Sequence, residues 1–190
     1  NNKLKSTLAF LAWPQAMSRG MLTDFGRGRT LEPVKLPEIL AADSAMQQLQ
    51  LSLAHFTETC GDREVQTLVA GLPPNLQLLT LSFEGCSRIT DLGLEFLAQR
   101  LSEKLEVLYL DFLGCSRLTD TGLQSLASAL PRGLLELELH FAGCKRIGPS
   151  GLCVLRDSIP PGLQRFKASF RGTGVGQNFE TLQHLREARF

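Results

Sequence analysis

Three kinds of side chain in this sequence are spaced as if for chemistry. The first is a set of thiols, Cys86, Cys115 and Cys144, separated by a constant 29 residues. Thiolates hold soft metals, but a zinc site needs short C-x-x-C pairs so that its ligands converge. Residues 29 apart in a stacked chain form a line, and a line of thiols reads as small buried apolar groups beside turn amides. Cys60 and Cys153 fall outside that column, and unpaired core thiols point to a reducing compartment. The second set is Arg88, Arg117 and Arg146, each two residues after a cysteine. Guanidinium groups in a row can grip an anion. Asp91 and Asp120 follow the first two by three residues, so local surface ion pairs are the expectation; Arg146 has Pro149 at that place. The third candidate is His140, with Asp111 one period upstream. No serine or cysteine nucleophile is placed to complete a triad, so His140 is expected to make contacts rather than catalyse. Gly172-Thr-Gly174-Val-Gly176 lacks the lysine and the glycine spacing of a phosphate loop and reads as a turn. His55 and His184 carry no pattern. These residues predict no enzyme, no metal and no cofactor.

The elements that position these groups repeat. Leu76-x-x-Leu79-x-Leu81-x-Phe83-x-Gly-Cys86 recurs as Leu105-x-x-Leu108-x-Leu110-x-Phe112-x-Gly-Cys115 and as Leu134-x-x-Leu137-x-Leu139-x-Phe141-x-Gly-Cys144. A further copy, Leu163 to Thr173, keeps the spacing and puts threonine at the cysteine position. An upstream copy from Met46 puts Phe56 there. In the first half of each unit apolar and other residues alternate: Leu108, Leu110 and Phe112 against Tyr109, Asp111 and Leu113. Period two is a strand with one face turned inward. In the second half the apolar positions are three and four apart (Leu94, Leu97, Leu101; Leu123, Leu126, Leu130; Val65, Leu68, Leu72), which is one face of a short helix. Thr90 and Thr119 are placed to cap these helices, and Pro73, Pro131 and Pro160 to end them. One unit cannot bury both faces alone, so the units must stack.

The L-x-x-L-x-L strand, turn and helix resemble the leucine-rich repeat. The turn Gly85-Cys-Ser-Arg-Ile-Thr-Asp-x-Gly-Leu94 is similar to that of the cysteine-containing subclass found in F-box-type proteins. The two extra residues before the cysteine, which include the phenylalanine column, are similar to long-strand repeats of algal protists. The resemblance implies an α/β fold: a right-handed, curved ribonuclease-inhibitor-like solenoid of five to six coils, with a parallel sheet on the concave face and helices on the convex face. The expected domains are an N-terminal cap over 1–45, with a degenerate repeat over 18–45 and a capping helix from Leu4 to Leu11, and a repeat domain over 46–190. The latter divides into 46–75, 76–104, 105–133, 134–162 and 163–190. Apolar slots at Met21, Phe25, Leu31, Leu36 and Ile39 carry the degenerate repeat.

Architecture fixes the inward side chains and leaves the outward ones free, so function is sought in the latter. Tyr109, Asp111, Leu113, Glu136, Glu138, His140, Arg165, Lys167 and Arg171 are the expected contact residues, an aromatic with a charged rim as in protein interfaces. Composition agrees with that class. Lys plus Arg number 20 and Asp plus Glu 19, a net charge of +1, which argues against a dedicated nucleic-acid or acidic-membrane binder. No apolar run reaches the ~18 residues of a membrane span, and no small-molecule substrate is expected. The expected role is a non-catalytic protein-interaction module inside the cell, cytoplasmic or nuclear. The resemblance also implies an alternative, the substrate-recognition part of a ubiquitin ligase of the F-box type; Lys35-Leu36-Pro37-Glu38-Ile39-Leu40 resembles the opening of an F-box. The chain opens on Asn1 rather than Met, as a processed product or a piece of a longer protein would.

Overall fold

The structure, a computed structural model, describes residues 8–12, 22–23, 30–31, 40, 44–54 and 57–188. In chain order it holds strands β1 (Leu8–Ala12), β2 (Leu22–Thr23), β3 (Thr30–Leu31) and β4 (Gln48–Ser52), then helix α1 (Asp62–Ala70). Strand β5 (Leu78–Ser82), α2 (Asp91–Ala98), β6 (Val107–Asp111), α3 (Asp120–Ser128), β7 (Glu136–His140) and α4 (Pro149–Ser158) follow in strict alternation. Strand β8 (Arg165–Ser169), β9 (Asn178–Phe179) and α5 (Leu182–Glu187) end the chain. The sheet order is β1-β4-β5-β6-β7-β8-β9; the first six strands run parallel and β9 is antiparallel. This is an α/β repeat solenoid. Neighbouring strands pair without a slip from β4 to β8, so Leu51, Leu81, Leu110, Leu139 and Ala168 form one buried row.

Between sheet and helices the core is layered by residue type. Phe83, Phe112, Phe141 and Phe170 are fully buried, and their rings stack at 5.1, 5.5 and 5.6 Å between centroids. Such offset stacking adds to what burial alone contributes. Phe179 closes the stack edge-on at 6.2 Å. Beside the rings runs the thiol column: Cys86, Cys115 and Cys144 donate to the carbonyls of Leu53, Phe83 and Phe112, one coil back, at 3.5, 3.3 and 3.2 Å. Cys60 is also buried and hydrogen-bonds with Cys86, so the first thiol of the column has a neighbour that its sequence position does not announce. That hydrogen bond, together with burial, pushes the Cys60 thiol well up. Burial also raises Cys115, and it pushes Cys144 up to about 12.

At the turn, Gly85, Gly114, Gly143 and Gly172 share φ between 70° and 78°, a left-handed conformation that glycine adopts without strain. The next residues build a ladder of carboxylates that ties coil to coil. Asp62 Oδ1 accepts from the Thr90 and Gly93 amides, and Asp62 Oδ2 from the Thr90 hydroxyl. Asp91 does the same for Thr119, at 2.8 and 2.6 Å. Asp120 accepts from the Gly148 amide at 2.6 Å and from the Ser150 hydroxyl. Thr90 and Thr119 cap their helices as the sequence implies, accepting from Leu92 and Thr121. Gly93, Gly122 and Gly151 leave room for the carboxylates: a Cβ on Gly122 would lie 2.5 Å from Asp91 Oδ1. This corrects the expected Arg88–Asp91 and Arg117–Asp120 pairs. The aspartates face the next coil, and Arg88 Nη1 donates instead to the Glu58 carbonyl at 3.0 Å.

The N-terminal segment departs from expectation. Leu8–Ala12 is a strand, not part of a capping helix, and it pairs parallel with β4 through an irregular register. The leucine spacing fits a helix, but the open edge of β4 offers a row of backbone groups that a strand can satisfy. Within 18–45 the described strands are β2 and β3, a short antiparallel pair. Met21, Phe25, Leu36 and Ile39 lie outside the described residues, as do Lys35–Glu38, His55 and Phe56.

Replacing Phe112 with Ala opens the middle of the ring stack and is expected to cost about 3–5 kcal/mol in urea denaturation. On helix propensity alone Gly122→Ala would stabilise by ~1 kcal/mol. The displaced Asp91 makes it destabilising instead, and the sign of the change in denaturation midpoint decides. The thiols set a pH dependence. From the ordinary value of 9.0 up to about 12 the unfolded chain sheds a proton that folded Cys144 keeps. Stability therefore declines across that window as pH rises. Cys144→Ser removes that contribution and flattens the alkaline limb of a pH series of thermal midpoints.

Candidate functional site

The helices cover one face of the sheet and leave the other open. On the open face the half-buried and exposed side chains come from alternate positions of β4 to β8. Register places Thr80, Tyr109, Glu138 and Lys167 in one row and Ser82, Asp111, His140 and Ser169 in the next. Charges pair across the strands. Arg165 pairs with Glu136, and Lys167 Nζ lies 3.4 Å from Glu138 Oε1. His140 Nε2 lies 2.9 Å from the same Glu138 oxygen. The His140 ring sits against Tyr109, 5.3 Å between centroids at a 35° tilt. Glu138 therefore joins Lys167 to His140, and His140 joins the cluster to the aromatic.

The imagined Asp111–His140 acid–base pair is not formed. The two are opposite in register, but Asp111 Oδ1 accepts from its own Leu113 amide at 3.0 Å and Oδ2 faces the Ser82 hydroxyl at 3.5 Å. A carboxylate two residues along the same strand, Glu138, reaches His140 instead. Two of the expected contact residues stand apart from the cluster. Leu113 and Arg171 lie beyond the ends of their strands, where their carbonyls accept from the turn glycines Gly85 and Gly143. Both side chains are exposed.

Tyr109 is the ridge of this face. On one side is an open depression of about 490 Å³, bounded by Val107, Glu136, Arg165 and Lys167 and walled by Glu180–Leu182. On the other is a depression of about 320 Å³ lined by Gln50, Ser52, Thr80, Ser82 and Asp111. Burial, then the nearby carboxylates of Asp111, Glu138 and Glu84, raises the Tyr109 phenol above its ordinary range. It stays a neutral hydrogen-bond donor, set between a polar hollow and a charged one. The wall at Glu180–Leu182 has no signature in the repeat. The last unit lacks the cysteine turn, and its chain folds back as β9 before α5. Among the described residues no three His, Cys, Asp or Glu side chains are grouped to hold a metal ion. No helix among them is long and apolar enough to cross a membrane.

No protein-family model matches the chain, and no curated protein matches it. Among solved structures, a chain in the crystal structure of the Rad7 and Elc1 complex in yeast is similar. It is 19% identical, with a TM-score of 0.47 over 65% of this chain and 37% of that one. This chain thus spans little more than a third of the length of that neighbour.

The ion pairs on the open face are solvent-accessible, with Lys167 half exposed, so they contribute little to stability. A double-mutant cycle of Glu138→Gln and Lys167→Gln in urea denaturation is expected to give a coupling below about 1 kcal/mol. A larger coupling would mean that this cluster holds the fold together rather than dressing its surface.

Proposed function

We propose that the open sheet face docks a protein partner and that the chain does no chemistry of its own. One observation carries this reading: Tyr109 stands between two depressions, with Glu136, Glu138, Arg165 and Lys167 around the larger one and His140 packed against Tyr109 and Glu138. An amphipathic aromatic at the centre of a charged rim is the usual composition of a protein-binding hot spot. A rigid sheet presents such side chains without ordering cost at the moment of binding. The rim holds both signs of charge and the chain as a whole is nearly neutral, which favours a protein over a nucleic acid or an anionic membrane. In this reading the solenoid is a right-handed leucine-rich repeat of the ribonuclease-inhibitor-like, cysteine-containing kind, and the open face is its concave one. The buried thiols suit a reducing compartment.

The test is capture from a native extract with the wild-type chain, Tyr109→Ala and Glu138→Lys side by side, followed by titration of any protein retained by the wild type. Tyr109→Ala is expected to weaken that complex by about 2 kcal/mol or more, roughly thirtyfold in Kd. Equal affinity of both variants would remove the face from the interface. A hydrolase activity lost in His140→Ala would overturn the non-catalytic reading.

A further inference from the structure

On the turns that lead into the helices, Arg88, Arg117 and Arg146 occupy the same step of three successive coils, and all three are exposed. Isolated parallel bridges pair Gly61 with Arg88 and Thr119 with Arg146. The turns therefore run alongside one another at strand spacing, about 4.8 Å from coil to coil. The three arginines therefore leave the backbone at the same step of adjacent coils, and their like charges repel. Their neighbours in sequence do not relieve this. Asp91 and Asp120 are turned toward the next coil, where they hold Thr119, Gly148 and Ser150. Arg88 donates one nitrogen to a neutral carbonyl, that of Glu58, which leaves its charge unpaired. Arg117 and Arg146 take part in no ion pair among the described residues. At the third coil Lys145 is exposed beside Arg146 and adds a second positive charge there.

We infer that this row binds an extended acidic polypeptide segment, one whose aspartate or glutamate side chains recur at alternate residues. Alternate residues of an extended chain point the same way and lie ~6.6 Å apart, a step that long arginine side chains on ~4.8 Å centres can follow. Each carboxylate can take two parallel N–H donors from one guanidinium. A single-stranded nucleic acid would need aromatic faces on which to stack its bases. The exposed large apolar side chains among the described residues are Leu92 and Leu113, neither of them aromatic. The row lies on the turns rather than on the open sheet face, so its occupancy is independent of Tyr109.

The probe is a fluorescein-labelled sixteen-residue peptide of alternating Glu and Ser, followed by anisotropy at ~20 mM and ~150 mM salt; binding is expected to weaken at the higher salt, where the Debye length shortens to about 8 Å. Each single change, Arg88→Gln, Arg117→Gln or Arg146→Gln, is expected to weaken binding about threefold to tenfold, and the triple change about a hundredfold. Circular dichroism checks that the variants stay folded. Arg132→Gln and Tyr109→Ala are expected to bind the peptide as the wild type does. The proposal is overturned if the triple variant binds unchanged or if Arg132→Gln weakens binding as much as the row variants. It is also overturned if a peptide of the same composition with all its Glu in one block binds equally well, or if oligo(dT) of equal charge binds more tightly.

Discussion

The fold depends on one constraint: every coil must present its backbone and its turn to the next in the same register. A strand from β4 to β7 has no hairpin partner of its own, so its amides and carbonyls are satisfied only by the parallel strands on either side. The turns obey the same rule through side chains. Asp62, Asp91 and Asp120 spend their carboxylates on the following coil, and the thiols donate to the coil before. The two ladders run in opposite directions along the stack, so each interior coil is held from both sides. A shift of one residue in any unit would break strand pairing, ring stack, thiol column and aspartate ladder together. That coupling explains why the spacing stays at 29 residues from Cys86 to Cys144 while the outward residues vary freely.

The aspartate ladder also accounts for a pairing of residue types that propensity alone leaves odd. A glycine in the first turn of a helix costs stability relative to alanine, yet Gly93, Gly122 and Gly151 recur at that place. The reason lies one coil upstream, in the carboxylate that would strike a Cβ there. The D-x-G motif is thus two halves of one joint read from different coils: the aspartate reaches forward and the glycine admits the aspartate behind it. Where the aspartate gives way to Pro149, the next coil changes character. The Gly174 amide bonds to the Ile147 carbonyl instead, and the chain turns back to lay β9 antiparallel on β8. The end of the ladder coincides with the end of the regular stack.

Most of this architecture was legible because the repeat reports periodicity twice, as period two in the strands and as three-four spacing in the helices. Buried Leu108, Leu110, Phe112, Leu123 and Leu126 follow directly from those patterns. What periodicity cannot report is the partner of a polar side chain. Arg88 and Asp91 are near neighbours in sequence, and local pairing is the natural expectation, but a carboxylate at the first position of a helix finds free amides on the adjacent coil that no one-dimensional reading displays. The same limit applied on the open face. Asp111 and His140 are opposite in register, yet His140 reaches Glu138, because strand pairing sets which backbones meet and not which rotamers do. At the N-terminus the leucine spacing around Leu8 and Leu11 points to a helix, and the unpaired edge of β4 decides for strand instead.

The division between fixed and free residues leaves the proposed binding face open to change. The inward leucines, rings, thiols and aspartates are tied to one another across coils, so a substitution there disturbs several neighbours at once. The outward positions touch only their flanking rows, and exposed ion pairs such as Glu138 with Lys167 weigh little in stability. Replacement of Glu138 or Lys167 is therefore expected to be nearly neutral for folding. The rigidity that keeps those side chains in place is supplied from beneath, by the phenylalanine stack and the ladders, none of which a docked partner would need to touch. Stability and the proposed recognition thus fall on opposite sides of the same strands, separated by the alternation along β6 and β7.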